Sequence, residues 1–394
     1  MTRKQRTWNI IAIYFVAALQ MGGAGLSPLM ASLSEAFPSA GATAIQFVMT
    51  VPSITVVLTN LFTGRLCEKY PKKYLTAIGC GLAVLFALLG FLFNRSLTVI
   101  YVWAAILGIG TSLACTVSPA IVNEMFEPEE RVGIFGVRAC ASSIGTMLMT
   151  FVGGYLVAIH WRYGFLVYLI MIPGLILALA VHPKDTKLAK STETHGARGT
   201  FRWKGLVFPC VAGFSVSLLY SVAMVNVSML VSESGFVPPE AAAARGGLLS
   251  TVLLAVGGLV GFGLNRLTRK IGLHCMTLGF LSLAAGYGII FFAPSYALFI
   301  LGGIVCGGAI TFVMPHAQIL GSDAGGSRQE LGLSITLLCA NLGTLVSPLL
   351  TSLSKGIFNT DAVRYRFLFA GCLALVIAAL IAAQVAWQKR KPIS

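Results

Sequence analysis

The chain has 394 residues, of which 57% are hydrophobic and only 10% charged, and its formal net charge is +15. Soluble domains carry about a quarter charged residues, so this composition excludes an ordinary water-soluble globule and points to a membrane protein. A nucleic-acid surface is also excluded as the reason for the basic excess, because the Lys and Arg residues follow a membrane topology described below.

Apolar stretches long enough to cross the bilayer, which takes about 20 helical residues, recur along the whole sequence. They are read at 8–30, 45–62, 74–93, 97–123, 132–158 and 165–181, then at 206–231, 246–264, 275–292, 297–320, 331–353 and 367–387. The predicted fold class is an all-α membrane protein of twelve transmembrane helices in two pseudo-symmetric six-helix bundles. Residues 1–182 form the N-terminal bundle and 205–394 the C-terminal one. Between them, 183–204 is rich in Lys, Ser, Thr and Gly without apolar periodicity, which predicts a cytoplasmic linker. The first span lacks a small-residue cleavage site after a short apolar core and is read as a retained helix.

With the N-terminus inside, the inner segments hold 21 of the 28 basic residues and the outer segments six, with Arg138 left inside a span. This positive-inside bias predicts a multi-pass protein of the cell membrane with both termini cytoplasmic. Nine cysteines are scattered singly without a C-x-x-C pair and read as reduced packing residues. No H-E-x-x-H, G-x-S-x-G or Walker loop occurs, so neither an enzyme nor an ATP-driven pump is expected, and no cofactor or metal.

One polar phrase is written twice, roughly 200 residues apart, as expected of a duplicated transporter. The first copy is Gly64-Arg65-Leu66-Cys67-Glu68-Lys69-Tyr70-Pro71-Lys72-Lys73; the second is Asn265-Arg266-Leu267-Thr268-Arg269-Lys270-Ile271-Gly272-Leu273-His274. Val117-Ser118-Pro119-Ala120 echoes Val313-Met314-Pro315-His316 in the same order, and Trp161-Arg162-Tyr163-Gly164-Phe165-Leu166 echoes Val363-Arg364-Tyr365-Arg366-Phe367-Leu368.

The first copy resembles the G-x-x-x-D-R-x-G-R-K signature loop of the major facilitator superfamily, with Lys69 for its first arginine and Pro71 for its second glycine. The run Glu124 to Gly133 resembles the same family's loop after the fourth helix, and Trp161-Arg162 resembles the start of the sixth. Gly136, Gly145, Gly153 and Gly154 fall in the frame of the fifth-helix motif of its drug:proton antiporter-like efflux branch, although Met149-Thr150 stands where that motif has Gly-Pro. The resemblance implies a secondary transporter working by alternating access, with solute held between the halves near the midplane.

It also implies a cytoplasmic gate of Gly64, Glu68, Lys69, Lys72, Lys73, Glu124 and Arg131. Glu68 and its basic neighbours are expected to pair with Glu124, Glu127 or Arg131; the plainer reading makes them solvated topology signals, since exposed ion pairs are worth about 0–1 kcal/mol. No acidic residue falls mid-span, which argues against a cavity built chiefly for cations. Arg138 lies about 10 Å deeper than Arg131. It either meets an anionic solute or pairs with Glu124 or backbone carbonyls. His316, beside Pro315, carries a coupling proton or is a neutral, hydrogen-bonded helix contact, with Glu124 the other coupling candidate. Gln20, Arg138, Tyr220, Asn226, His316 and Asn341 are the expected substrate-binding residues.

The function expected is export of a small neutral, amphipathic or anionic organic solute, by a monomer in a lipid bilayer, with a coupling proton allowed. Uptake or uniport of an organic anion is the alternative within the class, and a transporter-shaped receptor the alternative outside it.

Overall fold

The computed structural model describes residues 3–17, 26, 29, 33, 36, 37, 40, 42–181, 201–360 and 362–390. Gln20 lies outside them, as does the expected linker up to residue 200. Every regular element among the described residues is helical. In chain order these are α1 Arg3–Ala17, α2 Ala42–Lys69, α3 Lys72–Leu92, α4 Leu97–Met125, α5 Pro128–Ile159, and a 3₁₀ stretch Trp161–Met171 running into α6 Ile172–Val181. The second half gives α7 Trp203–Glu233, α8 Pro239–Ile271, α9 His274–Phe292, α10 Tyr296–Gly307, α11 Ala309–Ala324, α12 Gln329–Phe358 and α13 Val363–Arg390. The last residues of α10 and first of α11 flank Gly308, and the two helices form one apolar span, 296–324. Ten spans among the described residues are long and apolar enough to cross a membrane.

The helices outrun the apolar stretches that announce them. Twenty-eight residues of α2 make a rod of about 42 Å at 1.5 Å per residue, longer than the hydrocarbon layer. Its last turns therefore carry the polar phrase, Gly64 to Lys69, as helix, and the expected loop shrinks to Tyr70 and Pro71. In the second copy, Asn265 to Ile271 is likewise helical, and Gly272 ends α8 at φ +57°, a left-handed conformation that favours glycine.

Two compact units result. The first comprises Met1–Ile134, Ala141–Trp203 and Gly321–Leu338; the second comprises Phe135–Cys140, Lys204–Leu320 and Cys339–Ser394. In the first, α4 is buried on nearly all sides from Gly110 to Asn123, as its unbroken run of small and apolar residues dictates, and α2 and α3 pack on it. Its core gathers Phe86, Phe165 and Tyr168. In the second, α9 packs on α10 and α13, around Phe280, Tyr287, Phe299 and Phe367.

Each unit repeats the other's internal joints. Phe86 and Phe165 meet edge to face at 5.7 Å, and their counterparts Tyr287 and Phe367 do so at 5.3 Å. Phe91 stacks on Tyr163 at 5.8 Å, whereas Phe291 meets Tyr365 edge to face at 5.5 Å. Glycine allows the closest crossings: a Cβ on Gly108 would strike the Pro52 carbonyl, and one on Gly307 would meet the Leu253 carbonyl at 2.7 Å. A turn further on, Ser112 donates to the Val56 carbonyl at 3.3 Å, and Thr311 to the Gly257 carbonyl at 2.9 Å. Pro52 and Leu253, like Val56 and Gly257, stand at the spacing of the duplicated phrase.

Candidate functional site: a buried ion cluster

Among the described residues, the first unit contains one ionic cluster taken almost wholly out of water. Lys72, the first residue of α3, has a side chain only 4% exposed, and its ammonium donates to Glu124 and, at 3.0 Å, to Glu330. Glu124 and Glu330 are 18% and 12% exposed. Local chemistry disfavours two of these three positions. A cation at a helix N-terminus and an anion at a helix C-terminus both oppose the macrodipole, and Lys72 and Glu124 occupy those ends of α3 and α4. Pairing offsets the unfavourable placement of each. Glu330, in the first turn of α12, stands at the end that favours an anion.

The surroundings are polar and incompletely satisfied. Glu124 Oε2, both polar atoms of Asn123 and the Ser334 hydroxyl are buried without a hydrogen-bond partner. Gly64 gives α2 close access to α12: a Cβ there would lie 2.8 Å from Ser334 Oγ and 3.1 Å from Leu331 Cα. At the start of α5, Arg131 donates to the Phe126 carbonyl at 2.9 Å and faces Asp323 at 3.8 Å, where the carboxylate is 55% exposed and the pair correspondingly weak. Arg6 binds Glu130 at 2.5 Å and lies over the Phe126 ring.

Of the residues expected to gate, the structure brings Lys72 and Glu124 together and sets Gly64 and Arg131 beside helices of the same unit. Lys69 is exposed at the end of α2 and Lys73 half-buried, and neither makes an ion pair among the described residues. Glu68 lies in the last turn of α2, with its side chain outside the described set. The resemblance placed Glu68 at the centre of the network; the described network centres on Lys72, and its second carboxylate, Glu330, was missed. The signal for Glu330 was weak in sequence, a lone acid just before an apolar stretch.

The expected binding residues are distributed differently. Arg138 is buried on α5, 3% exposed, and is engaged by a neighbour. Tyr220 is buried in the core of the second unit. Asn226, on α7, donates to the Val222 carbonyl at 2.8 Å and accepts from Arg366 at 2.7 Å, so its amide is committed to protein. Asn341 is half-buried on α12 and engaged. His316 has both ring nitrogens occupied. The Phe312 carbonyl, 3.0 Å from Nδ1, can only accept, which assigns the proton to Nδ1 in the neutral ring; Nε2 then accepts from the Thr268 hydroxyl at 3.2 Å. Thr268 belongs to the second polar phrase, and Cys275 Sγ lies 3.6 Å from its hydroxyl. Among the described residues no group of three or more His, Cys, Asp or Glu could hold a metal ion.

The family model described as Major Facilitator Superfamily matches residues 10–348. The chain belongs to the Major Facilitator Superfamily. It is thus a multi-pass membrane protein of a transporter family, with the twelve-helix, two-bundle major facilitator fold expected from the sequence. A double-tryptophan mutant of XylE superposes with a TM-score of 0.76 at 16% identity, covering 96% of this chain and 95% of that one. The human organic anion transporter MFSD10 (TETRAN) gives 0.73 at 15% identity over 97% and 100% of the two chains. The E. coli fucose:proton symporter FucP gives 0.71 at 14% over 96% and 98%. These likenesses concern the fold. In sequence, the uncharacterized MFS-type transporter YqjV of Bacillus subtilis (strain 168) is 27% identical over 169 residues, 42% of this chain and 41% of that protein. The match therefore spans less than half of that relative's length.

Proposed function

We propose that the protein is a secondary transporter that exports a small neutral, amphipathic or anionic organic solute by alternating access. The two halves of the sequence, 1–182 and 205–394, act as the moving bodies, with both termini in the cytoplasm of a monomer. The observation that carries the reading is the Lys72, Glu124 and Glu330 cluster. Its members come from both halves of the sequence, two of them sit at helix ends that repel their charge, and neither catalysis nor metal binding explains them. Such a cluster suits a latch that is broken and remade, because its ions regain water when it opens.

Three further features support direction and solute. Gly136, in the frame of the efflux-branch motif, meets the backbone of Gly261 so closely that a Cβ on either would strike the other's carbonyl. Buried Arg138 and the lack of mid-span carboxylates favour an anion over a cation, and the name of the similar MFSD10 points the same way. The bonding of His316 favours a helix-joining role over proton coupling.

The test is flux in proteoliposomes of purified protein, with labelled organic anions, amphipaths and a cationic control, under inward and outward gradients and with or without a proton gradient. Efflux of anions or neutral amphipaths, lost in Lys72→Met, is the expected result. Cation-selective flux, or solute binding without flux, overturns the proposal.

A further inference from the structure

We propose that Cys210 and Cys339 form an oxidisable thiol pair that a peroxide-class oxidant converts into a disulfide tying α7 to α12. The two residues are far apart in sequence, yet their side chains lie within interaction range of each other in the second unit. The helix crossing explains why. One turn beyond them, Gly343 of α12 abuts α7: a Cβ on Gly343 would strike the Phe214 carbonyl and lie 3.1 Å from the Leu218 nitrogen. Phe214 follows Cys210 by the same one-turn spacing by which Gly343 follows Cys339, so the cysteines occupy the next rung of a glycine-set contact. Disulfides need Cα atoms roughly 4.4–6.8 Å apart, the separation that such close backbone contact brings within reach.

Accessibility and proximity together select the same pair. All nine cysteines are free; Cys67, Cys80, Cys140, Cys275 and Cys306 are buried, Cys115, Cys210 and Cys339 are half-buried and Cys372 is exposed, and of these four accessible thiols Cys210 and Cys339 are the two brought together by the helix contact. Hydrogen peroxide is small and uncharged and enters where charged oxidants do not. One thiolate attacks a peroxide oxygen, giving a sulfenic acid and, after protonation, one water; the second thiol attacks that sulfur, forming the S–S bond and releasing a second water. Two thiols lose two electrons and two protons, and one peroxide is reduced to two waters. A dithiol reductant reverses the step by exchange.

The experiment treats the full-length wild-type protein in nanodiscs with hydrogen peroxide, blocks residual thiols with N-ethylmaleimide and maps peptides without reduction. The expected result is one dominant linked peptide pair, Cys210 with Cys339, released by dithiothreitol, together with a raised melting temperature. In Cys210→Ser the link is absent, and dimedone traps a sulfenic acid on Cys339 or leaves it as thiol. Oxidised protein in which both cysteines still carry maleimide, or in which either is linked chiefly to another cysteine, overturns the assignment. The result is independent of solute and of transport direction.

Discussion

Replacing Lys72 with Met keeps most of the side-chain volume and removes the charge that Glu124 and Glu330 share. Both carboxylates, 18% and 12% exposed, would then lose the ammonium they share. Removing one partner of a buried ion pair costs about 3–5 kcal/mol, because an uncompensated charge stays behind. If the clustered arrangement bears that cost and an opened, hydrated one does not, the balance between them moves by roughly 140- to 3,700-fold, at 1.4 kcal/mol per factor of ten. Ser334, 2% exposed with its hydroxyl unpartnered, is a reporter beside the cluster. In a background with the nine native cysteines replaced, Ser334→Cys should react slowly with a membrane-impermeant maleimide applied from the cytoplasmic side. Adding Lys72→Met should raise that rate by about two orders of magnitude, up to the limit set by full opening. The neutral triple variant Lys72→Met, Glu124→Gln, Glu330→Gln should restore much of the protection, since replacing a whole buried pair is often nearly neutral. An unchanged rate in Lys72→Met, or a triple variant as reactive as the single one, refutes the electrostatic argument.

Gly136→Val should impair folding or transport, because overpacking costs about 1–3 kcal/mol and the opposing group is the Gly261 backbone, which cannot rotate away; a wild-type melting curve and flux would contradict this. Asn226→Leu removes an acceptor from Arg366, so about 1.5–3 kcal/mol of charge-assisted bonding should disappear, read as a lower melting temperature with solute affinity unchanged. A loss of affinity without a loss of stability would instead make Asn226 a solute ligand. His316→Leu leaves the Thr268 hydroxyl only the weak sulfur partner Cys275 and should lower stability, whereas the pH profile of transport should keep its shape; a flattened profile would restore His316 as the coupling group.

The fold was legible because its signals are long-range and redundant. Spans of about 20 apolar residues, a basic phrase written twice and echoes such as Phe165 with Phe367 all report the same plan, and the edge-to-face contacts of those two phenylalanines stand at matching joints. The site was legible only in part. Lys72 and Glu124 were found because motif and position mark them, but their shared partner Glu330 is fixed by packing of α12, which no local pattern encodes. Asn226 and His316 looked like cavity residues because polar side chains in apolar spans stand out. Burial demands that such groups be hydrogen-bonded, and here neighbouring helices supply Arg366 and Thr268 while His316's own helix supplies the Phe312 carbonyl.

Only Tyr70 and Pro71 separate α2 from α3, so the end of one rod is almost rigidly joined to the ammonium that begins the next. A rod of about 42 Å that swings by 10° about its far tip carries this end sideways by roughly 7 Å, well beyond the reach of an ion contact. The short elbow thus works as a mechanical amplifier: with Glu124 carried on the α4 against which both rods pack, a modest lean of that half would act on the contact made with the other half of the sequence, Lys72 to Glu330.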